Sequence, residues 1–332
     1  MPVGRSPPVR ASRPSMRIAF VLNPAAQGGR ARRVWPRLET EARRMGLDYA
    51  VFQTLGPGDG RRLAVTLRDR ADVVVAVGGD GTVQEVARGL AHGTTPLGVI
   101  PVGTGNDFAS AIGMPRSLGA ALRALADTPP RPCDLGRVSW VDAEGRRGQR
   151  VFTNCLGAGI DAQASLEAAR FKLARGRSAY AVGILRSLWM WREPTAEIAV
   201  AIGEKWRDEG GASATPLFRG PVILCEVGNG PTLGGGFRIT PDARLTDGLL
   251  DVCVVRHVGT RRVVSLLPRA VAGTHQDQPE VTTARTATLT FQALQGSLPV
   301  QADGEAVTDA AVWVGVEVLP GALSVVAPGL AP

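Results

Sequence analysis

Two short apolar runs, Val73–Val77 and Leu97–Val102, each end in a glycine turn that opens a helix-like stretch. The first turn is Gly78-Gly79-Asp80-Gly81-Thr82, before Val83–Leu90; the second is Gly103-Thr104-Gly105-Asn106-Asp107, before Phe108–Ile112. Glycine tolerates positive φ and lets a backbone approach closely. The first amides of a helix have no internal partner and carry partial positive charge, so both turns suit a phosphate. Each also holds an acid, Asp80 or Asp107. A carboxylate beside a polyphosphate is repelled unless a cation lies between them, so the turns read as phosphate loops sharing a divalent metal. Mg²⁺ is the expected ion, because it takes one or two carboxylates together with phosphates and water. A single strand–glycine–helix turn is as readily structural as functional, but two in tandem, each with an acid, favour function. Neither turn has the Gly-x-Gly-x-x-Gly spacing of a dinucleotide fingerprint, and no Gly-Lys-Ser/Thr of a Walker loop occurs.

The surrounding pattern alternates. Ile18–Leu22, Tyr49–Thr54, Val73–Val77 and Leu97–Ile100 read as strands, with helices at Arg30–Met45, Gly60–Arg70, Val83–Leu90, Phe108–Ile112 and Leu118–Ala126. Such alternation predicts an α/β fold with a doubly wound, mostly parallel sheet, whose ligands bind beyond the carboxyl ends of the strands. Thr128-Pro129-Pro130-Arg131-Pro132 interrupts it. The expected organisation is therefore a tail at 1–16, a nucleotide-binding domain at 17–128 and a β-rich acceptor domain at 129–332. In the last, β-like runs at Leu135–Trp140, Val151–Leu156, Ala196–Ile202, Val222–Val227, Leu249–Val255, Thr286–Phe291, Val312–Val318 and Leu323–Val326 predict an antiparallel sandwich. One helical interruption is expected at about Ala162–Trp191.

Charged residues at 20% and apolar ones at 44% are ordinary for a globular chain. The net charge of +8 rests on arginine, since Lys172 and Lys205 are the only lysines. It favours anionic partners, but no nucleic-acid-binding signature accompanies it. The proline- and arginine-rich start lacks the apolar core of a secretory signal, and no apolar run is long enough to span a membrane. Cys133, Cys155, Cys225 and Cys253 are far apart and predict buried free thiols in a reducing cytoplasm.

In these motifs the chain resembles the diacylglycerol kinase catalytic domain family of bacterial lipid kinases, related to sphingosine and ceramide kinases. Asn23-Pro24 with Gly28 and Gly29, Gly78–Thr82 followed by Glu85, and Pro101 through Ala109 carry the likeness. Asn154 through Asp161, Gly228-Asn229, Gly234-Gly235-Gly236, Pro241, Asp247 through Asp251 and Asp303-Gly304-Glu305 follow in family order. Arg30 or Arg32 stands where relatives often carry lysine. The resemblance runs from Arg17 to Val326 and implies an ATP-dependent kinase that phosphorylates a lipid hydroxyl in a cleft between two domains.

Phosphoryl transfer asks a protein mainly to position groups and neutralise charge. Gly78, Gly79, Gly81, Thr82, Gly103 and Thr104 are expected to cradle phosphates, and Asp80 and Asp107 to hold Mg²⁺. Asn106 is expected to fix Asp107, take a metal-bound water, or cap a helix. By resemblance, Asn23, Thr54 and Glu85 belong to the nucleotide site, and Asp134 joins the water around the metal. A second, structural ion is implied at Asp247, with carbonyls near Arg244 and Leu249. Asp303-Gly304-Glu305 alone reads as a hairpin turn; the resemblance makes Glu305 or Asp303 the base and Glu305 a metal-linked acid. Between Ala168 and Arg192 six basic residues and no acid share a segment with Trp189 and Trp191. This pattern suits peripheral docking on an anionic membrane or a packed helix with a basic edge. An NAD kinase-like small-molecule kinase and a non-catalytic nucleotide- or lipid-binding regulator are the alternatives; the lipid's identity and a homodimer stay open.

Overall fold

The structure, a computed structural model, describes residues 16–164, 197–203 and 215–330. The first half is the expected parallel sheet. Strands β1 (Arg17–Leu22), β2 (Asp48–Gln53), β3 (Val73–Gly78) and β4 (Leu97–Pro101) lie in the order β2-β1-β3-β4, all parallel. The apolar runs of β1, β3 and β4 are continuous because both faces of the sheet are covered. Val73–Val77 are wholly buried. Helices α1 (Ala26–Arg44), α2 (Asp59–Leu67), α3 (Asp80–Leu90), α4 (Asp107–Ala111) and α5 (Leu118–Asp127) complete this half. The first turn of α1 is irregular, with positive φ at Gln27, Gly28 and Gly29, so the regular helix begins at Arg30.

The strand order fixes where a ligand can enter. The crossover from β1 leads to β2 on one side, and the next returns to β3 on the other. The β1/β3 seam is therefore a switch point, where the connections diverge and leave a crevice. Asn23, just after β1, donates its N–H to the Val77 carbonyl at 3.1 Å across that seam. The Gly78–Thr82 turn opens on the same spot.

The second half is antiparallel. It contains β5 (Pro130–Asp142), β6 (Arg147–Phe152), β7 (Cys155–Gly159), β8 (Glu197–Ile202), β9 (Thr215–Gly228), β10 (Leu250–Arg256), helix α6 (Thr260–Ala272), β11 (Val281–Thr286), β12 (Thr288–Ala293), β13 (Leu298–Ala302) and β14 (Glu305–Val326). One layer runs β11-β10-β9-β7-β13-β14; β8, β12, β5 and β6 form the other. The long strands β9 and β14 pass from layer to layer, as corner strands of a sandwich do. Val138, Phe152, Leu156, Val227, Phe291, Val300 and Val314 share the core between the layers. All four cysteines are buried and free.

Several boundaries differ from the sequence reading. Pro130–Pro132 does not end a structured region but begins β5, because a proline without its N–H is tolerated at a strand's start. The run Val151–Leu156 is two strands, broken at Thr153-Asn154 where the Asp303 carboxylate draws in the backbone amides. Val312–Val318 and Leu323–Val326 belong to one strand, bulged between Leu319 and Leu323. That strand reaches back to the first half, where Val325 pairs with Leu97, and Leu323, Val325 and Val326 join the first core. Helix α6 was not expected: its buried residues Val263, Leu266 and Ala270 have helical spacing, but Pro268 inside it argues against a helix. Residues 160–164 are helical. The rest of the helix expected at Ala162–Trp191, and the basic segment Ala168–Arg192, lie outside the described residues.

Candidate active site

The two glycine turns touch through their backbones. A Cβ on Gly103 would lie 2.5 Å from the Gly79 Cα, so only two glycines allow this approach. A Cβ on Gly78 would lie 2.4 Å from the Thr82 hydroxyl, which instead takes a hydrogen bond from Asn23 Nδ2 at 3.0 Å. That bond ties β1 to the phosphate turn. The direction a side chain would take from Gly81 is open, so the start of α3 faces free space. On the second turn, Thr104 accepts a hydrogen bond from Gln27 at 3.0 Å.

Asn106 adopts φ 55°, and its side chain folds back to accept from Gly103 N–H at 2.9 Å and donate to Gly103 carbonyl at 2.8 Å. It closes the turn rather than capping α4. The amide of Asn106 goes to Asp80 Oδ2 at 2.8 Å. Asp107 Oδ2 accepts from Gly235 N–H at 2.7 Å, which joins the second turn to the glycine triplet of the other half. A Cβ on Gly105 would lie 2.9 Å from Asp80 Oδ2 and 3.3 Å from Asp107 Oδ2. The two carboxylates thus converge over a residue without a side chain. Burial, reinforced by the Asp107 charge, pushes the Asp80 carboxyl up to about 6. Two part-buried carboxylates brought this close repel each other, and a divalent ion between them offsets that repulsion. The residues fit Mg²⁺, which needs no more than these two carboxylates when phosphates and water complete its shell. Among the described residues no group of three or more histidine, cysteine or acid side chains forms a denser metal site.

Asp80, Gln84 and Arg88 follow one another at helical spacing on α3, and this face meets the Asp303–Glu305 turn. Gln84 donates to the Asp303 carbonyl at 2.7 Å, and Arg88 reaches Glu305 Oε2 at 3.3 Å. Arg150, on β6, also pairs with Glu305. Burial pulls the Arg88 guanidinium down; burial and then Arg88 pull Arg150 down to about 10. Gln84, Arg88 and Arg150 escaped the sequence reading. The one signal present was the spacing of Gln84 and Arg88 from Asp80.

The turn itself is a two-residue hairpin loop with φ 54° at Asp303 and 80° at Gly304, the form that Asp-Gly favours. Its two acids do different things. Asp303 Oδ2 accepts from Thr153 N–H at 2.8 Å and Thr153 Oγ1 at 3.1 Å, and Oδ1 from the amides of Asn154 at 2.8 Å and Cys155 at 3.1 Å. Burial pushes its carboxyl above the usual range, against the pull of the three amides. Both oxygens are committed to holding the β6–β7 break. Glu305 is half-exposed and, among the described residues, pairs with the two arginines. Asp303→Asn is expected to destabilise the fold by about 3 kcal/mol, since an amide N–H₂ would then face backbone N–H donors. A urea midpoint unchanged from wild type would contradict this structural role.

Other residues named from sequence serve as backbone anchors. Glu85 accepts from the amides of Gly58 at 2.7 Å and Gly60 at 2.8 Å, fixing the start of α2. Thr54 is buried at the end of β2, its N–H on the Leu22 carbonyl at 2.9 Å. The Asp134 oxygens take the amides of Gly248 and Gly321, each at 2.7 Å. At the implied second ion site the Asp247 carboxylate accepts from Leu249 N–H at 3.0 Å and pairs with Arg285. The Arg285 guanidinium supplies a positive charge at the Asp247 carboxylate.

Residues 17–138 match the family model for the diacylglycerol kinase catalytic domain, and residues 154–327 match the YegS C-terminal NAD kinase beta sandwich-like domain. A protein of Chromohalobacter salexigens named "Probable lipid kinase YegS-like" is 32% identical over 292 residues, 86% of each chain. The chain belongs to the diacylglycerol kinase catalytic domain family of lipid kinases. A relative from Mycobacterium tuberculosis named "Diacylglycerol kinase" is 28% identical over 87% of this chain and 88% of its own. The crystal structure of a diacylglycerol kinase from Bacillus anthracis superposes with a TM-score of 0.65 at 18% identity, covering 95% of this chain and 97% of that one. In this lipid kinase an N-terminal parallel sheet precedes a C-terminal antiparallel sandwich, as expected. No helix among the described residues is long and apolar enough to cross a membrane.

Proposed function

We propose that this lipid kinase transfers the γ-phosphoryl group of ATP to a hydroxyl of a lipid, with Glu305 taking the hydroxyl proton. The convergence of Asp80 and Asp107 over Gly105, at the mouth of two touching glycine turns, carries the reading. The amides at the start of α3 and the backbone of Gly103–Thr104 bind and orient the phosphates. Asp80 and Asp107 would hold Mg²⁺, which neutralises phosphate charge when bound. Asp303 keeps the hairpin in place, and Glu305, the acid of the turn not committed to backbone amides, faces the acceptor. Arg88 and Arg150 fix the direction of Glu305 before substrate arrives. Their positive charge also suits the phosphate that forms there.

The test is a kinase assay with ATP, Mg²⁺ and a panel of lipid alcohols, with NAD as a competing acceptor. Transfer to a lipid supports the reading. Transfer to NAD alone favours the small-molecule kinase, and no ATP turnover with any acceptor favours the non-catalytic regulator.

The acceptor resides in a bilayer, so the reading also includes a cytoplasmic enzyme that docks peripherally on an anionic surface. The cluster Arg170, Lys172, Arg175 and Arg177 is the segment proposed for it. Replacing all four with glutamine is expected to weaken sedimentation with anionic vesicles, each basic residue near such a leaflet contributing about 1 kcal/mol. Activity on vesicles should fall while activity on a short-chain dispersed lipid persists. Equal losses on both substrates would assign the segment to folding or to the cleft.

A further inference from the structure

Helix α6 lies over the outer face of β9 and β10 and encloses an apolar pocket between them. Ile223, Leu224, Leu233, Phe237, Val263 and Leu266 are among its walls, and its cavity of about 90 Å³ opens to solvent on one side. Mostly apolar walls with a few polar groups are the usual lining of a small-molecule site. One wall carries Glu226, which is completely buried. Neither of its carboxyl oxygens has a hydrogen-bond partner among the described residues, and the Cys155 thiol beside it is a weak donor.

Strand register explains how an acid comes to stand there. Gln301 on β13, Gly157 on β7 and Glu226 on β9 form one row across the sheet. A Cβ on Gly157 would lie 2.1 Å from Asp161 Oδ2 and 2.6 Å from Glu226 Oε2. The missing side chain makes room for two carboxyl groups in one place. Asp161 accepts the Gln301 amide N–H at 2.5 Å. Gln301 in turn accepts the N–H of Gly304, in the Glu305 hairpin, at 2.6 Å. The pocket wall is thus bonded to the proposed catalytic turn.

Two adjacent buried carboxyl groups do not both ionise. Asp161 accepts the Gln301 N–H whereas Glu226 has only the weak Cys155 thiol beside it, so the geometry puts the proton on Glu226; burial and the Asp161 charge both push its carboxyl well above the usual range. A neutral carboxylic acid has one O–H to give. In an apolar pocket that donor is costly to leave unpaired. We propose that Glu226 is a specificity-determining residue that donates a hydrogen bond to a carbonyl oxygen of an uncharged acyl lipid in this pocket. The proposal deepens the lipid-kinase reading and rests on it for the pocket's occupant. A long-chain amine fits less well, because Glu226 would have to ionise to meet it in an apolar surrounding.

Binding without ATP tests this, by displacement of a fluorescent fatty-acyl probe from the full chain. The ligands are 1-decanoylglycerol, its ether counterpart 1-O-decylglycerol, which lacks the carbonyl, and decylamine. The wild type is expected to bind the ester about tenfold more tightly than the ether, the scale of one hydrogen bond in a dry site. Glu226→Leu should bind ester and ether alike and unfold at a higher temperature. Glu226→Gln, which keeps an N–H donor, should retain an ester preference. Equal binding of ester and ether by the wild type, a preference that survives in Glu226→Leu, or tighter binding of decylamine than of the ester would each overturn the proposal. The two readings fail separately. An ester preference without phosphorylation of any lipid removes the kinase and leaves Glu226 standing; lipid phosphorylation with the preference intact in Glu226→Leu removes only Glu226.

Discussion

Asp80→Asn is expected to cut phosphoryl transfer about 100-fold or more, the usual scale for a charged group that acts on the transition state. The side chain keeps its shape, and an amide oxygen can still accept the Asn106 N–H, so the second turn should stay in place. What disappears is one of the two charges that converge over Gly105. With one carboxylate gone the stress between Asp80 and Asp107 goes too, and the folded protein should be no less stable. Retained stability with lost turnover is therefore the diagnostic pattern. A folded variant with wild-type turnover would remove Asp80 from the chemistry, and dependence of the wild-type rate on added Mg²⁺ gives the complementary check.

Glu305→Gln is expected to lower the rate of lipid phosphorylation about 100- to 10,000-fold, the range for a general base, and to leave ATP affinity nearly unchanged. The split follows from position. Glu305 belongs to the sandwich half and meets Arg88 and Arg150, whereas the glycine turns belong to the parallel half. Glutamine can still accept from both arginines, so the hairpin keeps its shape but loses its place for a proton. Equal effects on ATP binding and on rate would make Glu305 a structural member of the interface instead. Comparison with Asp303→Asn separates the two acids: the first variant should lose rate without stability, the second should lose both.

The parallel half was legible because strands buried on both faces are written as unbroken apolar runs, and Val73–Val77 needs no tertiary information to be read. The glycines were legible for a related reason: Gly79 and Gly103 stand where two backbones meet, and no other residue fits. The roles of the acids were not. Asp134, Asp247 and Glu85 look in sequence like Asp80, and only the fold decides that their oxygens face backbone amides or an arginine. The Asp-Gly-Glu tripeptide carried two readings at once; its geometry is that of the hairpin turn, and the functional role proposed for Glu305 is compatible with it. Glu226 was invisible because an acid in an apolar run, Val222–Val227, gives no hint of which side its neighbours leave empty.

The pairing of β5 with β14, from Ala311 opposite Asp142 to Val326 opposite Pro130, has a mechanical consequence. The polypeptide crosses between the two cores twice along this ribbon, once outward and once on its return. A single proteolytic cut in either crossing would leave the halves tied together, and a fragment stopped at residue 128 would lack the strand that borders β4. Two hydrogen-bonded strands resist stretching and shear but bend across their flat face, like a leaf spring. Any opening between the two halves would therefore require flexure of this spring and not a swing on a slack tether. The bulge between Leu319 and Leu323, where Asp134 accepts the Gly321 amide, is the irregularity at which such flexure would concentrate.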